Sequence, residues 1–132
     1  MKLSTRSRYG TRLMADLAQH YNEGPVQLGK IAIRQDISIK YLEQLITPLK
    51  KARLIKSVRG PKGGHMLSKS PADIKIGEIV AVLEKGTTLT QCLENPDGCG
   101  RSKNCKTRDI WKMATNAMYD KLNAVKLSEI VE

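Results

Sequence analysis

Phenylalanine is absent from this 132-residue chain and tryptophan occurs once. A chain of this length can bury a core without disulfides, so that core must be filled mainly by aliphatic side chains. No apolar run approaches the roughly 20 residues of a spanning helix. The opening MKLSTRSRYG also lacks the apolar stretch of a secretory leader. No basic amphipathic helix carries the bulky aromatic anchors that favour acidic membranes. A cytoplasmic chain without a membrane partner is expected. Catalytic signatures are missing too: there is no Ser/His/Asp or Cys/His pairing and no paired-carboxylate pattern. The glycines after Arg59 lie in a hairpin, the wrong context for a phosphate-binding loop that opens a helix. An enzyme is not expected.

Acidic residues are scarce in one half only. Residues 1–70 hold 14 Lys/Arg against 4 Asp/Glu, whereas residues 71–132 hold 9 of each, so the whole +10 net charge sits in the first half. A general solubility feature would not segregate in this way. A polyanion-binding half joined to a neutral half accounts for it.

The periodicity predicts helices joined to a small ribbon. Tyr9, Leu13, Leu17 and Tyr21 recur every four residues, giving a helix over 9–21 with Ser7 as its cap. A short helix over 28–35 follows, with Leu28, Ile31 and Ala32 inward. After the turn at 36–38, Ser38 caps a third helix from Ile39 to about Lys51, with Ile39, Leu42, Leu45, Ile46 and Leu49 inward. Pro48 removes a hydrogen bond and crowds the Gln44 carbonyl, which predicts a kink or early end. Strands over 54–58 and 65–68 flank the turn Arg59-Gly60-Pro61-Lys62-Gly63-Gly64. Helix, helix-turn-helix and two-stranded ribbon is the winged helix-turn-helix order. Another helix is predicted over about 75–85, with Ile76, Ile79, Val80 and Leu83 inward. The longest helix runs from about 107 to 123, with Ile110, Met113, Ala114, Ala117, Met118 and Leu122 on one side. A last short helix is predicted over 127–131. The fold class is mostly α with a small β-ribbon, divided into a DNA-binding unit over 1–70 and a second unit over 71–132.

The third helix has the apolar back and polar front of a recognition helix. Tyr41, Glu43 and Gln44 lie near its N-terminal end, which usually meets base edges. Gln pairs with adenine, while Glu accepts from cytosine N4 and repels phosphate. An isolated polar face is ordinarily only a solvated surface, but the basic wing beside it favours duplex DNA. Arg59 and Lys62 sit on the narrow wing tip, where an Arg suits a narrow minor groove. Lys2, Arg6, Arg8 and Arg12 are placed to meet phosphates. The bland alternative for each is a plain surface cation, and for Lys2 or Lys62 taken singly that reading is accepted. His20 reads as a core-edge or surface residue, and His65 as a wing cation or hydrogen-bond donor.

Cysteine is rare and concentrated: Cys92, Cys99 and Cys105 are the only three, spaced C-x6-C-x5-C among Gly, Asn and Asp residues that suggest irregular chain. Reduced thiols clustered in a cytoplasmic chain suit ligands or redox groups better than a staple. Zinc, Cu(I) and iron–sulfur clusters all accept thiolates. Zinc sites favour closer pairs than these, and a disulfide switch would leave one cysteine over. The competing reading is a zinc- or thiol–disulfide-dependent interaction module with incidental nucleic-acid binding.

The segments SRYGTRLMADLA and ISIKYLEQLITPLKKARLIKSVRGPKGGHMLS, followed by the three-cysteine loop, closely resemble the IscR-type iron–sulfur-sensing winged-helix regulators over essentially the whole chain. The resemblance implies a homodimer built on the long C-terminal helix. It implies a [2Fe–2S] cluster on Cys92, Cys99 and Cys105, supplied by the iron–sulfur assembly machinery. It further implies control of iron–sulfur assembly genes, in part by repression of its own operon. Carried over by position, Ser38, Lys40, Tyr41, Glu43, Gln44 and Arg59 are the operator contacts, and Glu43 is the gate between operator classes. Lys40 departs from the small polar residue common in relatives. A second departure is Arg108, which stands where IscR-type chains place a histidine three residues after the last cysteine. Guanidinium is a poor ligand, so the fourth position falls to Asp109, Asn104, Glu94, a solvent species or a small thiol, with oxygen expected. Related nitric-oxide sensors use an N-terminal Asp whose matching position here is Arg8.

Overall fold

A computed structural model of the chain describes residues 2–84, 86 and 88–131. The first helix, α1, spans Thr5–Gln19 and starts earlier than the periodicity suggests. Its cap is Ser4, whose hydroxyl accepts from the Ser7 backbone N–H at 3.2 Å. Ser7, the expected cap, lies inside the helix and is fully buried. It donates its hydroxyl to Glu84. The Glu84 carboxylate also accepts from the Ser4 hydroxyl at 2.9 Å. It thereby supplies the negative charge that the first turn of α1 lacks. Leu13, Met14 and Leu17 carry the α1 stripe into the core.

Helix α2 spans Leu28–Gln35 as expected, and ends on Asp36 in the left-handed region at φ 53. Ile31 is its fully buried anchor, with Leu28 and Ala32 half-buried beside it. Helix α3 spans Ile39–Lys51 behind its Ser38 cap, whose hydroxyl accepts from the Tyr41 N–H at 3.1 Å. Leu42, Leu45, Ile46 and Leu49 are buried, but Ile39 is 49% exposed, contrary to expectation. As the first helical residue it lies at the edge of the stripe, over Gly29 of α2. Nor does Pro48 end the helix early. It stands one turn from the C-terminus, so only one ladder bond is lost. Beyond it Ala52 N–H bonds the Pro48 carbonyl and Leu54 N–H bonds the Leu49 carbonyl, both at 3.0 Å.

Strands β1 (Ile55–Val58) and β2 (Gly64–Leu67) pair antiparallel, Ile55 facing Leu67 and Val58 facing Gly64. Val26 bridges to the other edge of β2 by exchanging two 2.8 Å bonds with His65. The turn closes through Gly63 N–H to the Gly60 carbonyl at 2.9 Å. A Cβ on Gly63 would lie 2.0 Å from the Val58 carbonyl oxygen, so only glycine fits this tip.

A 3-10 turn at Pro71–Asp73 leads to α4, Ile76–Leu83. The helix stops short of the expected end, with Glu84 an extended C-cap; Lys85 itself lies outside the described residues. Ile76, Ile79, Val80 and Leu83 are all buried as predicted. Helix α4 packs against α1, α3 and α6. Gly10 permits its close approach to α1, because a Cβ there would meet Leu83 Cδ1 at 2.0 Å. The segment expected to be irregular contains a short helix, α5 (Gln91–Glu94), and a 3-10 turn at Pro96–Gly98. Helix α6 spans Lys106–Asn123, and a 3-10 turn at Leu127–Ile130 folds back on the 74–76 segment. One apolar core runs from Leu13 through α3 and α4 to Leu127.

Candidate functional site

The α3 front presents Ser38, Lys40, Glu43 and Gln44 to solvent. Tyr41 is half-buried, with its ring edge-on to Tyr9 at 5.9 Å. Arg8 and Arg12 both stack over that Tyr9 ring, at 5.8 and 5.3 Å. Two of the N-terminal cations are thus gathered beside the start of α3 by an aromatic pair. Arg59 and Lys62 are exposed on the wing tip. His65 is disfavoured as a cation there. Burial first, then the nearby Lys50 charge, push its pKa below the usual histidine value. Its Nδ1 is 2.8 Å from the Ser57 hydroxyl across the ribbon.

Beneath this surface lies a network that the sequence reading missed. Asp16 is 2% exposed. Arg34 forks onto its carboxylate at 3.0 and 2.7 Å, and the Gln35 amide adds a third bond at 3.0 Å. His20 closes the group, with Nδ1 2.8 Å from the Asp16 carbonyl oxygen. Burial pushes the Asp16 carboxyl up, but the Arg34 and Gln35 hydrogen bonds and the Arg34 charge outweigh it and hold the pKa below 3.8. Arg12 in turn reaches Gln35, Nε to Oε1 at 3.3 Å. The helix-turn-helix is therefore pinned to α1 by charge as well as by packing. The available signal was an acid three residues after Leu13 and one before Leu17, inside the apolar stripe, where it needs a partner.

The three thiols occupy different settings, and none is in a disulfide. Cys92 sits on α5, its Sγ 3.1 Å from the Thr90 hydroxyl. Cys99 is exposed after the 3-10 turn. Cys105 is the N-cap residue of α6, its Sγ 3.1 Å from the Thr107 hydroxyl. That hydroxyl first, and then the Arg108 backbone N–H, pull the Cys105 thiol below its ordinary pKa; slight burial and Asp109 oppose them. Cys92 and Cys99 line one cavity of about 270 Å³ with Gln91, Asn95 and Gly98. Cys105 lines another of about 380 Å³ with Asn104, Arg108 and Asp109. Among the described residues no group of three or more His, Cys, Asp or Glu side chains is assembled to hold a metal ion. The donor set nevertheless suits a thiophilic centre: three accessible sulfurs, one of them drawn toward thiolate. Of the expected oxygen donors, Asn104 and Asp109 accompany Cys105, while Glu94 lies on α5. Arg108 is otherwise engaged, donating Nε–H to the Cys92 carbonyl at 3.3 Å.

Helix α6 leaves much of its apolar side uncovered. Ile110 is 54%, Trp111 42% and Met113 70% exposed, whereas Leu122 and Tyr119 pack against the core. No helix of the described residues is long and apolar enough to cross a membrane.

The family model described as Rrf2, iron-dependent transcriptional regulator, matches residues 3–132. Protein rrf2 of Nitratidesulfovibrio vulgaris strain Hildenborough is 47% identical over 131 residues, covering 99% of this chain and 87% of that protein. The solved structure of T. potens IscR is similar with a TM-score of 0.78 and 41% identity, covering 98% of this chain and 85% of the other. That of CymR (YrzC), the global cysteine regulator of B. subtilis, has a TM-score of 0.78 and 36% identity, covering 98% and 95%.

Proposed function

Because the chain belongs to the Rrf2 family of transcriptional regulators, a DNA-binding regulator of the IscR type and not an enzyme, we propose that its grip on DNA is set by an iron–sulfur cluster held by Cys92, Cys99 and Cys105. The carrying observation is the position of these thiols on a loop that ends in the N-cap of α6, next to a helix whose apolar side is uncovered. A [2Fe–2S] centre, with one oxygen donor completing the three thiolates, is the form that the resemblance to IscR-type regulators implies. Asp109 or Asn104 is the donor on this reading. Such a centre supplies charge and fixed ligand geometry that would gather residues 88–107.

A second copy of the chain covers Ile110, Trp111 and Met113 in this proposal, giving a homodimer joined along α6. Residues 1–70 act as the DNA-binding unit, and residues 71–132 as the sensing and dimerisation unit. Gathering the loop biases the pose of the two recognition helices, a shift between two states rather than a direct DNA contact. Ser38, Lys40, Tyr41, Glu43 and Gln44 meet the major groove, Arg59 the minor groove, and Arg8 and Lys62 the phosphates. The iron–sulfur assembly machinery donates the cluster, and the regulated genes include those of that machinery, under repression.

Anaerobic purification with iron and acid-labile sulfide counts tests this reading. Iron, sulfide and visible absorbance should be present, and should vanish when all three cysteines are replaced by alanine, together with a change in operator affinity. Protein that stays iron-free after reconstitution, or a triple variant with unaltered operator selectivity, would sink the proposal. At the interface, Arg59→Ala should weaken specific binding by about 1–3 kcal/mol, and Glu43→Ala should widen operator choice. A uniform loss across operators for Glu43→Ala contradicts its role as a gate.

The second reading, a thiol–disulfide or zinc-dependent module, draws on the separation of the sulfurs into two cavities and on the likeness to CymR, the global cysteine regulator of B. subtilis. Stoichiometric zinc, or an operator affinity that follows dithiol reduction without iron, would favour it.

A further inference from the structure

Arg108 occupies a place where a metal ligand is expected, yet its side chain is committed to the protein. Its Nε–H donates to the Cys92 carbonyl at 3.3 Å. A second tie lies further along α6: the Leu89 backbone N–H donates to the Thr115 hydroxyl at 3.2 Å. Thr115 is 5% exposed, and its hydroxyl donates in turn to the Trp111 carbonyl at 2.8 Å. The two ties share a direction. From Leu89 to Cys92 the chain advances while its partners on α6 step back from Thr115 to Arg108. Thr90, between the ties, has extended backbone at φ −134, ψ 151.

We infer that Arg108 is a positioning residue that docks the Cys92 arm antiparallel along α6 in protein carrying no cofactor, doing through a protein hydrogen bond what a coordinating side chain at that position would do only with metal bound. The inference deepens the cluster-sensing reading and rests on it for its functional meaning. Its consequence is a division of the loop. The arm bearing Cys92 is held at the same end of α6 that Cys105 caps. Cys99 shares a cavity with Cys92 but lies on a wholly exposed stretch from Glu94 to Arg101. The Cys92 arm is therefore tied to the helix end that Cys105 caps before any cofactor arrives, while Cys99 lies on the exposed stretch. Loss of the cofactor then frees the 94–104 segment while the 89–92 arm stays docked.

The test is hydrogen exchange on full-length, reduced, metal-free protein. The amides to follow are Leu93 and Asn95, which bond to Thr90 and Gln91 in the docked arm. Arg108→Ala should speed their exchange by about tenfold or more, the factor a charged hydrogen bond contributes locally, and should leave the Leu42 and Leu45 amides of α3 unchanged. Arg108→Lys, which keeps the charge but lacks the Nε–H, should speed them as well; wild-type rates in that variant would overturn the clip. Thr115→Val, which removes the second tie, gives an independent arm and should act in the same direction. Unchanged exchange in Arg108→Ala overturns the inference while leaving the cluster proposal standing. An iron-free result in the cluster experiment leaves this test intact, because no cofactor is used.

Discussion

The helix-turn-helix head with its wing and the three-cysteine loop are held together by different means. In the head, Asp16 is buried under an Arg34 fork and a Gln35 amide, and the wing tip accepts only glycine at position 63. In the loop, every residue from Glu94 to Arg101 is exposed, and two hydrogen bonds from α6 side chains hold its first arm. Base readout requires side chains at fixed positions, so the head is over-determined. A segment with few buried contacts opens at low free energy, so a few ligand bonds suffice to reorder it.

The largest blow to the contrast comes from Asp16→Ala. Removing one partner of a buried pair costs about 3–5 kcal/mol; Arg34 is about a third exposed, which reduces the expected loss to about 2–3 kcal/mol. Urea unfolding at neutral pH measures it, and a loss near zero would mean the head is not charge-pinned. The same pair gives a pH signature. The folded-state pKa of Asp16 is lowered from 3.8, so its stabilisation is complete above that value and disappears as the pH falls below it toward the folded-state value. The Asp16→Asn variant should therefore lose less stability than the wild type on acidification through that range.

A smaller effect belongs to Ser4→Ala, which removes the α1 cap and one Glu84 partner and should cost about 1 kcal/mol in thermal or urea melts. The smallest is Cys99→Ala, an exposed site expected to change stability by less than about 0.5 kcal/mol in the same melts. A large loss there would erase the distinction between a rigid head and a loosely held loop.

These residues also mark how far a one-dimensional reading reaches. The α2 limits and the Ser38 cap of α3 were legible because cap, stripe and turn fall within a few residues of one another. The inward set of α4 was legible for the same reason. The α1 cap was misread: Ser4 and Ser7 are equally good capping residues, and Glu84, distant in sequence, binds both. Ile39 was misread because a first-turn residue lies at the edge of its stripe. At the candidate site, the three sulfurs and the exposed α3 face were visible as residue types at spacings. Their separation into two cavities was not, since it depends on how α5 packs against α6.

Composition, charge segregation and apolar period are properties of neighbouring residues, and from them alone came an aliphatic helical chain with a basic half, a capped recognition helix and a thiol loop. The pairing of Asp16 with Arg34 on the next helix, and of Arg108 with the Cys92 carbonyl, could be decided only by tertiary packing. Each joins groups on separate elements, and a hydrogen bond exists only where two faces are brought within about 3 Å.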